Sequence, residues 1–211
     1  MHRLTTILLA AGGLTLLAGP AQAQVELGLV GGGTLATYVG DDAPDVSAKP
    51  GGIAGALLSF PLTGPLRLET GALWQQRRTA VEVDDFRGGT LESVTGLAYI
   101  ELPLTLELGM ERGPWRMALK GGPSLALNVK EPEPVAGAVA ASPLDTFDYR
   151  DTDLGMGIGA ALGYRSLFLD GRYTVGLESA VEGRELEPRV FSLVAGVRVP
   201  VTGEQGLFAR R

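Results

Sequence analysis

The chain has no cysteine, and its only histidine is His2, near the N-terminus. Disulfides, thiolate metal sites and a cysteine nucleophile are therefore excluded. Beyond residue 23 the commonest catalytic base and metal ligand is missing as well. Aromatic residues make up only 6% of the sequence, and the 18 Lys and Arg are outnumbered by 24 Asp and Glu. An acidic chain with no basic block argues against a nucleic-acid partner. Long apolar runs are also scarce, since after residue 23 no stretch approaches the ~20 residues that a spanning helix needs. If the chain enters a membrane, it does so as strands. What is abundant is glycine, at 31 of 211 residues, in a sequence that is still 45% hydrophobic. That combination fits one all-β domain.

Residues 1–23 read as a cleaved signal peptide. Arg3 supplies the positive start, Leu4 to Leu17 the apolar stretch, and Ala21-Gln22-Ala23 the small-residue cleavage site. Cleavage removes one base, Arg3, and no acid, which takes the net charge from -6 to -7. Pro20 follows Leu17-Ala18-Gly19 where a lipoprotein would need cysteine, so no lipid anchor is expected. The expected division is a signal peptide at 1–23, a β-barrel domain at 24–201 and a C-terminal tail at 202–211.

Alternation dominates the rest. From Thr95 to Leu108, Ala98, Ile100, Leu102, Leu104, Leu106 and Leu108 share one face, while Tyr99, Glu101, Pro103, Thr105 and Glu107 share the other. The same period recurs from Trp115 to Val129 and from Leu167 to Glu178. Gly-diluted versions occupy 25–33, 52–62, 66–79, 154–165 and 190–201. Eight strands result, each near or above the ~9 to 11 residues that cross a bilayer at barrel tilt. Short turns are expected at Thr63-Gly64-Pro65, Glu111-Arg112-Gly113-Pro114 and around Ser166. Longer polar connections fall near 35–50, 80–92, 130–152 and 179–189.

This alternation of short turns with long loops describes an eight-stranded antiparallel up-and-down transmembrane β-barrel with short periplasmic turns and longer external loops. A soluble barrel would show the same alternation with the apolar face turned inward. The uninterrupted aliphatic face of 96–108, the even strand count and the aromatics near strand ends favour the lipid-facing arrangement. Trp115, Phe60 and Tyr164 are expected to mark the turn side, with Trp74 and Tyr38 towards the loops.

On that arrangement the inward set comprises Glu26, Glu69, Glu101, Glu107, Asp170 and Glu178 against Arg67, Arg116, Lys120, Arg165, Arg172 and Arg198. Six acids meet six bases. An eight-stranded barrel is only wide enough for side chains to fill, so these charges are expected to neutralise one another rather than line a channel. Glu101 and Glu107 are six residues apart on one strand, roughly 20 Å at 3.3 Å per residue, too far to share one reaction. Gly155-Met156-Gly157-Ile158-Gly159 alternates like a strand face, not like a phosphate-binding turn followed by a helix. The acids Asp41, Asp42, Asp45, Asp84, Asp85, Asp148, Asp151 and Asp153 lack EF-hand spacing and read as solvated loop residues.

Ala98-Tyr99-Ile100-Glu101-Leu102-Pro103-Leu104, Gly121-Gly122-Pro123-Ser124-Leu125, Asp153-Leu154-Gly155-Met156-Gly157-Ile158-Gly159 with Gly163-Tyr164, and Leu169-Asp170-Gly171-Arg172-Tyr173-Thr174-Val175-Gly176-Leu177 carry a resemblance. The chain resembles the outer-membrane protein β-barrel domain family, the porin-like eight-stranded barrels of diderm bacteria. The likeness covers essentially all of 24–201. It implies the fold and the outer-membrane address, with no common ligand or activity. Such barrels usually end on a terminal aromatic, whereas here 202–211 follow the last strand and Phe208 is the aromatic that could take its place.

The expectation is a monomeric, non-enzymatic outer-membrane barrel with no cofactor and no metal. Its role would be structural, surface-contacting or envelope-stabilising. Its partners would be outer-membrane lipid, lipopolysaccharide and the assembly machinery. Two alternatives remain open at this point: a narrow pore or carrier of a small hydrophobic or ionic ligand, and a soluble periplasmic binding barrel.

Overall fold

A computed structural model describes residues 24–40, 46–84, 90–134, 150–179, 181 and 186–201. The proposed signal peptide, most of the loop acids and the tail after Val201 lie outside the described residues. Eight strands follow one another: β1 (Val25–Val39), β2 (Val46–Pro61), β3 (Leu66–Asp84), β4 (Thr90–Arg112), β5 (Trp115–Pro134), β6 (Thr152–Tyr164), β7 (Leu167–Gly176) and β8 (Glu187–Val201). Each pairs antiparallel with its sequence neighbours, and β1 pairs with β8, so the sheet closes in the order β1 to β8. Closure leaves no unpaired edge, which a β-structure in lipid requires.

The connections alternate as expected. Arg165-Ser166 joins β6 to β7, Gly113-Pro114 joins β4 to β5, and the chain from Leu62 to Pro65 joins β2 to β3. Glu111 and Arg112, expected in a turn, instead extend β4, because Gly113 at φ 60° lets two residues reverse the chain. The strands also run further towards the loop side than the sequence pattern suggests. Apolar alternation marks only part of each strand: β3, expected over 66–79, continues to Asp84, and β5, expected to end at Val129, continues to Pro134.

Period-two patterning sets the faces. On β4, Leu102, Leu104, Leu106 and Leu108 are exposed while Glu101, Pro103, Thr105 and Glu107 are buried. On β6, Leu154, Met156, Ile158 and Leu162 point out and Gly155 and Gly157 point in. The outer surface is thus aliphatic, with Trp115 and Tyr164 exposed on the turn side and Trp74 exposed on β3. Tyr38 departs from the expected girdle. It sits on the inward face of β1 in phase with Thr34 and Ala36, and is buried.

Small residues admit the lumen's larger ones. The ring of Phe168 passes so close to Gly196 that a Cβ there would stand 2.9 Å from Cε1. β2 bulges between Lys49 and Ile53, and there Thr34 Oγ1 donates to the Gln76 carbonyl oxygen at 2.5 Å, over Gly51. A Cβ on Gly51 would lie 2.6 Å from that hydroxyl, so the β1-to-β3 contact depends on the glycine.

Candidate functional site

The lumen is where the polar chemistry gathers. Part of its filling is apolar: Val30, Ile53, Leu57, Leu73, Phe168 and Val194, from β1, β2, β3, β7 and β8, form one buried cluster. Beside that cluster it is ionic. Glu69, fully buried, accepts hydrogen bonds from Lys120 Nζ, from Arg198 Nη2 at 3.0 Å and from Arg172 Nη2 at 3.4 Å. Lys120 bridges from Glu69 to Asp170. Three bases from β5, β7 and β8 therefore converge on one β3 carboxylate.

The network continues towards the turn side. Arg198 lies 3.6 Å from Glu107 Oε2, and Arg116 spans Glu107 and Glu26, at 3.1 Å from the latter. Arg67 completes that end, 2.8 Å from Glu26 and donating through Nε to Ser59 Oγ at 2.9 Å. Towards the loops, Arg172 approaches Glu101 at 4.0 Å, and Gln75 Nε2 donates to Glu101 Oε2 at 2.9 Å. The guanidinium carbon of Arg198 stands 4.4 Å from the centre of the Phe168 ring, joining the ionic half to the apolar half by a cation–π contact.

A separate pair lies nearer the loops. Arg77 Nη1 on β3 donates to Asp153 Oδ2 on β6 at 2.5 Å, both side chains being buried, and the Arg77 guanidinium lies 4.2 Å from the Tyr99 ring centre. Ser124, Gly155, Thr174 and Gly176 line a small space beside this pair with a volume near 10 Å³. That is about the space of one water molecule.

Ten of the twelve residues expected in the lumen face it: Glu26, Arg67, Glu69, Glu101, Glu107, Arg116, Lys120, Asp170, Arg172 and Arg198. Two do not. Arg165 occupies the β6–β7 turn at φ 56°, exposed, with its guanidinium 5.5 Å from the Tyr164 ring, because the strand has ended one residue earlier. Glu178 lies beyond Gly176, where β7 has ended, and pairs with Arg150 at 3.2 Å on the surface. Alternation extended past a strand end assigns no face. Their places are taken by Arg77, which the sequence reading did not single out, and Asp153, which it assigned to a solvated loop. The count of six acids and six bases survives the exchange.

This arrangement is chemically closed. Each of these six bases lies within 4.0 Å of a carboxylate, and Glu69 and Glu107, both fully buried, each have at least two cationic partners. Unpaired charges held apart by water would favour ion passage. Paired long side chains occupying the cross-section oppose it.

A sequence profile of the family described as outer membrane protein beta-barrel domain matches residues 19–182. No curated protein matches the chain in sequence. Among solved structures, the chain is similar to Neisserial surface protein A at 15% identity, over 83% of this chain and 96% of that one, with a TM-score of 0.48. It is similar to outer membrane protein AlkL in DMPC lipid bilayers at 14% identity, over 90% and 96%, with a TM-score of 0.47. Against Ail, the attachment invasion locus protein of Yersinia pestis, the identity is 11% over 85% and 100%, with a TM-score of 0.38.

Proposed function

This chain belongs to the outer membrane protein beta-barrel domain family, and from that membership we propose that it is a sealed, non-catalytic barrel with a structural, surface-contact or envelope-integrity role. The observation that carries the reading is Glu69, buried at the centre of the lumen with Lys120, Arg172 and Arg198 on its two oxygens. A transport path would have to break that cluster. Each separated charge would then need solvation in a bore too narrow to supply much water. The working surfaces are consequently the lipid-facing wall and the external loops, which carry recognition in folds of this kind. Residues 1–23 act as the export signal. The mature barrel is a monomer whose contacts are outer-membrane lipid, lipopolysaccharide at the loop end and the assembly machinery.

Liposome swelling tests the sealed state. Proteoliposomes holding the refolded chain should swell in small sugars and salts no faster than empty ones. Swelling at the rate of an open porin control would contradict the proposal and favour the pore reading.

A further inference from the structure

We propose that the turn-side outer wall over β4 to β8 binds one anionic diacyl phospholipid, with its phosphate between Arg112 and Arg165 and its two chains in adjoining apolar grooves. The proposal rests on the lipid-facing assignment of this wall. The register places Arg112 opposite Trp115, Trp115 opposite Tyr164, and Tyr164 opposite Leu167, so these residues form one outward row at the end of the barrel. The Trp115 and Tyr164 rings lie 4.8 Å apart at 59°. Arg112 flanks this aromatic pair on one side, and Arg165 lies over Tyr164 on the other.

Arg165 is an unexpected residue for its backbone. The other two short turns place Gly64 and Gly113 at φ 56° and 60°, whereas this one holds an arginine at φ 56°. That conformation costs a side-chain-bearing residue where glycine adopts it freely, and such strain gathers where a side chain has a task. Neither Arg112 nor Arg165 has a carboxylate partner among the described residues. Glu111, the neighbouring acid, stands opposite the lumen residue Arg116 and so lies on the other face of the sheet.

Above the aromatic row the wall is hollowed. Leu119 is followed across the strands by Ala160 and Gly171, and Leu169 by Ala195, so small residues interrupt rows of leucine and methionine. Two open apolar grooves result, of about 470 and 500 Å³, which share Leu162 and Leu169. Similar size and a shared ridge suit the paired chains of one lipid. The aromatic pair lies at the interfacial level, where Trp and Tyr rings bind best, and the two cations lie at headgroup level beyond it. Two unpaired cations select an anionic headgroup over a zwitterionic one.

The test uses the whole chain carrying Trp74→Phe, which leaves Trp115 as its only tryptophan. The protein is reconstituted into phosphatidylcholine bilayers containing a minor fraction of chain-brominated phosphatidylglycerol or, separately, chain-brominated phosphatidylcholine. Brominated phosphatidylglycerol should quench Trp115 with an apparent affinity at least roughly fivefold above that of the choline lipid, the factor contributed by one basic residue near an anionic surface. Arg112→Gln combined with Arg165→Asn should remove the preference while leaving quenching by the choline lipid. Asn is chosen at 165 because it tolerates the left-handed conformation. Ala160→Phe with Ala195→Phe should weaken quenching by filling the grooves. Equal quenching by the two lipids, or a preference unchanged in the double arginine variant, would overturn the site. Quenching by neither lipid would instead contradict the lipid-facing assignment itself.

Discussion

One part of the lumen is filled by ion pairs gathered around Glu69, whereas another is filled by the apolar cluster Val30, Ile53, Leu57, Leu73, Phe168 and Val194. Both halves fill the same narrow bore, yet they respond differently to loss. An apolar side chain that is trimmed leaves a void and a proportionate loss of contacts. A charged side chain that is trimmed strands its partners in a confined interior. The ionic half therefore holds together only as a neutral set. Its six acids, Glu26, Glu69, Glu101, Glu107, Asp153 and Asp170, equal its six bases, Arg67, Arg77, Arg116, Lys120, Arg172 and Arg198, although the whole chain carries a net charge of -6.

Glu69 is the position most sensitive to loss. Glu69→Ala leaves Lys120, Arg172 and Arg198 without their shared acceptor and should destabilise the refolded barrel by about 3–5 kcal/mol in denaturant titrations, less whatever residual lumen water restores. A loss below that of a conservative apolar substitution would show that the charges are well hydrated and unpaired.

The outer wall gives the next effect. Leu104→Arg puts a guanidinium near the middle of the lipid band and should cost about 2–4 kcal/mol in bilayer refolding. No loss there would mean that the aliphatic face does not meet lipid.

The Arg77–Asp153 pair sharpens the contrast, because it is isolated from the larger network. Arg77→Ala alone strands a buried carboxylate. Arg77→Leu together with Asp153→Leu removes both charges and should return stability to within about 1 kcal/mol of the parent chain, or exceed it. A double variant as unstable as the single one would show that this pair stabilises by more than its neutrality. The smallest change belongs to the apolar half: Ile53→Val removes one methylene and should cost about 0.5–1.5 kcal/mol without altering any ionic contact.

These two halves were not equally legible in the sequence. Strands such as β4 and β5 alternate cleanly, so Glu101, Glu107, Arg116 and Lys120 could be placed inside from spacing alone. β1, β2 and β8 carry apolar residues on both faces, diluted by glycine, and nothing in Leu29-Val30 or Leu57-Leu58 says which member points inward. Only closure of the barrel decides it. Arg77 escaped notice because Gln75-Gln76-Arg77-Arg78 is polar on both faces. Asp153 looked like a loop acid because it sits one residue inside β6, beside Asp151. Arg165 and Glu178 erred the opposite way, since a period of two carries no information once the strand stops. Pairing partners such as Arg198 with Glu69, 129 residues apart, depend on strand stagger and lie beyond any local pattern.

If the ion pairs around Glu69 plug the bore, planar-bilayer conductance reads the plug itself. The parent chain should stay near the bilayer baseline, while a variant with Glu69, Lys120, Asp170 and Arg172 all replaced by alanine should show discrete, reproducible openings. A large, steady conductance in the parent chain, unchanged by that truncation, would contradict the account.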